Sequence, residues 1–142
     1  MAELREIADR LAIRVLVDEY ALGADRRDLA RFAAVFLDTA TLTGAEFRYE
    51  GVDQIATIPE KLARYSRTLH VIANHVVALD GDTATGETYC VAHHLSTDDG
   101  TERDRVMYIR YHDAYVRTES GWRITARRLE VEWVEDRPVT IR

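Results

Sequence analysis

Four long segments of alternating character fill the chain from Val71 to Val134, and three short polar joints separate them. The segments are 71–79, 83–96, 102–118 and 122–134, rich in the Val, Ile, Thr and Tyr side chains that fit a pleated, half-buried surface. Asp80-Gly81-Asp82, Asp98-Asp99-Gly100 and Glu119-Ser120-Gly121 each supply a glycine where the chain has to reverse. Strands joined this tightly pair antiparallel, so a curved meander is expected to form most of one sheet.

The first half has a different period. Leu4, Ile7, Ala8, Leu11, Ala12, Val15, Leu16 and Tyr20 recur at steps of three and four, which predicts a helix with one buried face. Gly23 is its expected stop, and Asp28 the expected N-cap of a second helix with the stripe Leu29, Phe32, Ala33 and Phe36. Asp25 then falls in the joint between the two. Residues 39–43 and 46–49 read as short strands about Gly44, and 53–66 as a partly helical stretch interrupted by Pro59. Helices first and an antiparallel sheet second give an α+β class, and 142 residues form one domain spanning 1–142.

Composition removes several function classes. A net charge of −6 leaves no basic stripe for phosphate backbones, so no nucleic-acid partner is expected. Lys61 is the only lysine, which leaves little scope for Schiff-base chemistry and favours the forked recognition that Arg provides. Cys90 is the only cysteine, so neither an internal disulfide nor a cysteine zinc motif is expected, and a reducing cytoplasm fits. The first residues open into charged helical sequence without an apolar signal core, and no apolar run approaches the roughly 20 residues of a membrane span. A cytoplasmic protein with no membrane partner is therefore expected.

Tyr20, Asp25 and His70 are the residues with chemistry to offer. A carboxylate beside an imidazole can make that imidazole a proton acceptor near neutral pH, as an elimination or isomerisation next to an activating group requires. Taken singly, Asp25 reads as a solvated loop carboxylate and His70 as a hydrogen-bonded core histidine. On an unbroken helix Tyr20 and Asp25 would lie about 140° apart, so they converge only if the helix breaks between them. His93 and His94 are adjacent on a strand and face opposite sides, so only one can enter a pocket. No histidine spacing resembles a zinc site, and no metal or cofactor is expected.

Tyr20-Ala21-Leu22-Gly23-Ala24-Asp25-Arg26-Arg27-Asp28, Leu69-His70-Val71-Ile72-Ala73-Asn74 and the closing Gly121-Trp122-Arg123-Ile124, taken in order with the helix pair and the meander, carry a family resemblance. The chain resembles the SnoaL-like branch of the nuclear-transport-factor-2-like superfamily from about Leu4 to Trp133. The similarity is strongest to the group of scytalone dehydratase, bile-acid 7α-dehydratase and hexachlorocyclohexane dehydrochlorinase. The resemblance implies a cone-shaped α+β barrel, with N-terminal helices packed on a curved antiparallel sheet that encloses a pocket. It also implies that Asp25 orients His70 and favours its cationic form, while His70 removes a substrate proton. Tyr49 corresponds to a pocket tyrosine in some relatives, although an aromatic closing the core is an equally good reading. His93 corresponds to a second histidine that protonates a departing hydroxyl. Arg127 corresponds to a pocket arginine on the last strand, yet strict alternation puts it with Arg123, opposite Trp122 and Ile124, unless a bulge intervenes.

The function these readings imply is a cofactor-independent lyase of dehydratase or dehydrohalogenase type, acting on a small hydrophobic or polycyclic substrate. Asp25, His70 and Tyr20 are its catalytic candidates, and Tyr49, His93 and Arg127 its substrate-binding candidates. An isomerase or aldol-type polyketide cyclase would begin with the same proton abstraction, and a non-catalytic ligand-binding module would keep the pocket without the chemistry. Tyr108, Tyr111 and Tyr115, with Val106, Met107 and Ile109, make a strand apolar on both faces. Two apolar faces need two coverings, so a homo-oligomer is expected, a trimer or a dimer.

Overall fold

The computed structural model describes residues 1–142. Helix α1 (Ala2–Arg26) and the short α2 (Leu29–Ala34) lead into strands β1 (Phe36–Thr43) and β2 (Arg48–Glu50). Short helices α3 (Val52–Ile55) and α4 (Ile58–Lys61) and a 3-10 turn (Leu62–Arg64) follow. The meander comes last: β3 (Arg67–Asp80), β4 (Thr83–Asp98), β5 (Thr101–Thr118) and β6 (Gly121–Pro138). The α+β class holds. The sheet order is β2-β1-β6-β5-β4-β3, with β1 parallel to β6 and every other pair antiparallel. It has two free edges, so the curved sheet wraps around a core without closing into a barrel.

Helix α1 does not end at Gly23. A Cβ at Gly23 would sit 2.7 Å from the Phe32 nitrogen and 2.8 Å from its Cα, so this glycine permits the close approach of α2. The helix stops four residues later at Arg27, whose φ of 55° is left-handed and whose N–H bonds back to the Ala24 carbonyl. The Arg27 guanidinium offsets that backbone cost by donating to the carbonyls of Ala24 and Leu62 and to the Thr68 hydroxyl, at 2.8, 3.0 and 2.8 Å. Asp28 caps α2 as expected, accepting from the Arg31 N–H at 3.0 Å. Phe36 belongs to β1, because the chain has already turned at Val35.

The buried face of α1 also differs from the expected one. Leu4, Ile7, Leu11 and Val15 are each more than half exposed, whereas Ile13, Leu16, Val17, Tyr20, Ala21 and Ala24 are buried. The helix is apolar on two sides, so its period gives two candidate stripes. The sheet selects the one that carries Asp9, whose carboxylate takes two hydrogen bonds from Arg117 (2.7 Å each) and one from the Trp122 indole (3.0 Å). Along the open edge of β3, α1 supplies side chains where a neighbouring strand is missing: Arg10 donates to the Val77 carbonyl at 2.6 Å and Arg14 to that of Ala73 at 3.4 Å.

Core side chains from α1 and α2 (Ile13, Leu16, Tyr20, Phe32) meet the inner face of the sheet at Cys90, Ala92, Ile109, Tyr111, Tyr115 and Ile124. Each large apolar side chain buried in this way stabilises the fold by roughly 1.5–3 kcal/mol. The outer face is also partly apolar. Val71, Val91, Tyr108 and Trp133 lie opposite one another across β3–β6, and the Tyr108 and Trp133 rings stack at 4.3 Å.

Candidate active site

Asp25 lies in the last turn of α1, inside the helix, and not in a joint. Its carboxylate reaches across to β3, where Oδ1 is 2.6 Å from His70 Nδ1 and 2.9 Å from the Thr68 hydroxyl, while Oδ2 accepts the His70 backbone N–H at 2.8 Å. Burial works against the charge on Asp25, but the bonds from His70 and Thr68 outweigh it and hold its pKa below the usual carboxylate range. An ionised carboxylate only accepts, so Nδ1 carries a proton and the lone pair of a neutral His70 ring lies on Nε2. No protein group bonds to Nε2.

His70 lines a cavity of about 150 Å³, largely apolar, between the C-terminal half of α1, α2, the α4 segment and the inner face of the sheet. Tyr20, Phe32, Tyr65, Met107, Ile109, Tyr111 and Leu129 make most of its wall, and His94 stands near His70 with ring centres 5.9 Å apart. A cavity on the order of 150 Å³ holds a single ring of benzene size. Larger grooves, such as one of about 620 Å³ on the outer face of the sheet, are open and contain neither Asp25 nor His70.

The helix is unbroken between Tyr20 and Asp25, so the two do not meet. Tyr20 instead lines the cavity from α1, packed against Phe32, Phe36 and Tyr111, and is not bonded to Asp25. Burial raises the pKa of Tyr20 and raises that of Tyr111 well above the usual value, so both phenols keep their protons as donors. Arg127 lies against both rings, which themselves meet edge to face at 5.6 Å, with its guanidinium carbon 4.3 Å from the Tyr20 centroid and 4.0 Å from that of Tyr111. A bulge at Thr125 brings it there: Ala126 pairs with Ala114 and Ile124 with Tyr115, so one extra residue turns Arg127 to the side of Trp122 and Ile124. Arg127 is locked by two 2.8 Å bonds to Asp113, and it backs the two tyrosines without lining the cavity.

His93 and Tyr49 lie elsewhere. His93 faces the outer side of the sheet, where its Nδ1 is 2.7 Å from Asp104, and His94 is the one that faces inward. Tyr49 sits on β2 outside the cavity, its hydroxyl accepting from Lys61 at 2.9 Å. The geometry adds Thr68, Tyr65, Met107, His94 and Tyr111 to the site. For Tyr111 the signal lay in its alternation with Ile109 and Tyr115, all three on one face. Burial pushes the Cys90 thiol up to about 11, so it stays protonated at neutral pH and is no thiolate nucleophile.

A model of the SnoaL-like domain matches residues 5–128. The chain belongs to the SnoaL-like domain family. Uncharacterized protein Rv2910c of Mycobacterium tuberculosis is 32% identical over 134 residues, covering 89% of this chain and 88% of that protein. Two solved structures share the fold of this SnoaL-like domain. One is the hexachlorocyclohexane dehydrochlorinase LinA-type3 from Novosphingobium barchaimii (TM-score 0.83, 18% identity, 96% and 94% of the two chains). The other is a candidate scytalone dehydratase from Novosphingobium aromaticivorans (TM-score 0.84, 21% identity, 99% and 94%). No helix is long and apolar enough to cross a membrane.

Proposed function

We propose that this SnoaL-like domain is a lyase of dehydratase or dehydrohalogenase type that needs no cofactor, with His70 as its general base. The observation that carries the reading is the 2.6 Å contact between Asp25 Oδ1 and His70 Nδ1, which leaves Nε2 free at an apolar cavity. In the reaction, Nε2 takes a proton from a carbon next to an electron-withdrawing group. The C–H electron pair becomes the new double bond, and a β-substituent leaves with its own pair. A halide departs as the anion, whereas a hydroxyl takes the proton from the His70 imidazolium and leaves as water. Asp25 holds the tautomer and stabilises the imidazolium, and Tyr20 and Tyr111 donate to the developing oxyanion.

The dehydratase and dehydrochlorinase activities named for the structural neighbours support the class of reaction. The cavity volume supports a compact, single-ring substrate over a polycyclic one. The outer row of Val71, Val91, Tyr108 and Trp133, with Leu69 57% and Trp133 56% exposed, supports self-association of the domain, as a trimer or dimer distinguishable by sedimentation.

The test is incubation of wild type and His70→Gln with compact cyclic β-halo and β-hydroxy carbonyl compounds, followed by mass spectrometry. Loss of HX or water is expected with wild type and slowed on the order of 10²–10⁴-fold in the variant. A mass-neutral product would move the assignment to an isomerase or cyclase. Equal turnover by both proteins, or binding without change by either, would refute the lyase.

A further inference from the structure

The cavity holds one more polar group, and the backbone fixes its protonation pattern. Nδ1 of His94 lies 3.0 Å from the Arg105 carbonyl oxygen on β5. A carbonyl oxygen only accepts, so Nδ1 carries the proton and the lone pair of the neutral ring lies on Nε2. The Ala92 carbonyl also approaches the ring, but the bond to Arg105 is the only one that His94 makes with hydrogen-bond geometry, and it engages Nδ1 and not Nε2. The only fully shielded side-chain polar atom without a partner is Arg127 Nη1, so His94 Nε2 opens onto free space. His94 is 4% exposed and lines the cavity, with its ring 4.8 Å from that of Tyr65, so that free space is the cavity.

We infer that His94 is the hydrogen-bond acceptor that selects the substrate, and that the ligand is a compact ring bearing an O–H or N–H donor. The inference rests on the reading of this cavity as the substrate site. It also gives the two histidines different work. Nε2 of His70 faces the C–H to be broken, while Nε2 of His94 receives a proton donor of the substrate and holds the ring in one orientation. Burial pushes the pKa of His94 down, which keeps the ring neutral at physiological pH. His94 in this state has no proton on the nitrogen that faces the ligand. It therefore does not protonate a departing hydroxyl, the role that the family resemblance gives to a second histidine. Any such proton comes back from His70.

A ring without a donor would leave the His94 lone pair unpaired in an apolar cavity, and a ring with one would satisfy it. The expected preference for phenol over fluorobenzene, which is nearly isosteric, is about tenfold in affinity.

Two measurements decide the matter. Long-range proton–nitrogen correlation spectra of the nitrogen-labelled wild-type protein report directly which imidazole nitrogens carry hydrogen. The expected pattern for His94 is a protonated Nδ1 and a bare Nε2 near neutral pH, and a proton on Nε2 would overturn the inference. Titration with phenol and fluorobenzene, read at the His94 and His70 resonances in wild type and at those of His70 in the variants, should show the tenfold preference in wild type, its loss in His94→Phe and its partial return in His94→Gln. Equal affinities, a preference that survives in His94→Phe, or no phenol-dependent shift at His94 would each overturn it. The outcome is separable from that of the lyase: turnover that depends on His70 without donor selectivity would sink only the acceptor role, and donor selectivity without turnover only the lyase.

Discussion

Replacing Asp113 with leucine should be among the most damaging single changes available in this fold. Asp113 and Arg127 form an ion pair whose side chains are both 0% exposed, with two 2.8 Å bonds from Nε and Nη2 to the two carboxylate oxygens. The same carboxylate accepts from the hydroxyls of Tyr115 at 2.9 Å and Thr88 at 3.3 Å. Without it, a guanidinium stays buried against two aromatic rings with no anion to pair it. Breaking such a pair from one side costs about 3–5 kcal/mol, because the charge left behind keeps its desolvation penalty. For a chain of this size that corresponds to a fall in melting temperature of roughly 10–20 °C. The double variant Asp113→Leu/Arg127→Met should recover most of the loss, since apolar groups of similar volume replace buried pairs at little net cost. The hydroxyls of Tyr115 and Thr88 would still lack their acceptor, leaving about 1–2 kcal/mol unrecovered. Urea unfolding followed by circular dichroism measures both. A single variant that loses less than about 1 kcal/mol, or a double variant no better than the single, would refute the reasoning.

Gly23→Ala should destabilise by roughly 1–3 kcal/mol in the same assay despite the gain in helix propensity, because its methyl group would meet the backbone of Phe32; a stabilised variant would show that α2 can move aside. Burial lowers the pKa of His75 and of His94, so the unfolded chain binds protons there more readily than the folded one. The stability these groups lend at neutral pH is therefore lost as the pH falls through and below 6.5, and His75→Asn/His94→Gln should flatten that slope in melts recorded between pH 8 and pH 5. A slope unchanged in the double variant would contradict this assignment.

How much of this was legible in the sequence depends on how local each feature is. The meander was readable because three glycine-bearing turns and four alternating stretches are local signals, and the strand boundaries moved by only a few residues. Asp25 and His70 were legible as residue types in order, but their contact required the end of α1 to lie against β3. The helix end itself was misplaced, since Gly23 reads as a stop by composition while its use is the contact with Phe32. Arg127 turned inward because of one extra residue at Thr125, and period-two reasoning has no means of placing a bulge. The choice between His93 and His94 turned on the same one-residue ambiguity. On α1 the periodicity was genuine, but two apolar stripes competed, and only the position of the sheet decides between them.

The side chains that α1 sets along β3 have a consequence for assembly. A bare outer strand is a template on which another chain can add, and the outcome is open-ended stacking. Here Asp25 occupies the outward N–H of His70, while Arg10 and Arg14 occupy the outward carbonyls of Val77 and Ala73. At the opposite end of the sheet β2 offers only three residues. Copies of this domain are thereby discouraged from joining strand to strand, and any assembly is directed to the broad faces, where contact is bounded and can close on itself. The carboxylate that orients the proposed base thus also masks part of the open edge of β3, and its loss should make edge-to-edge addition of copies easier.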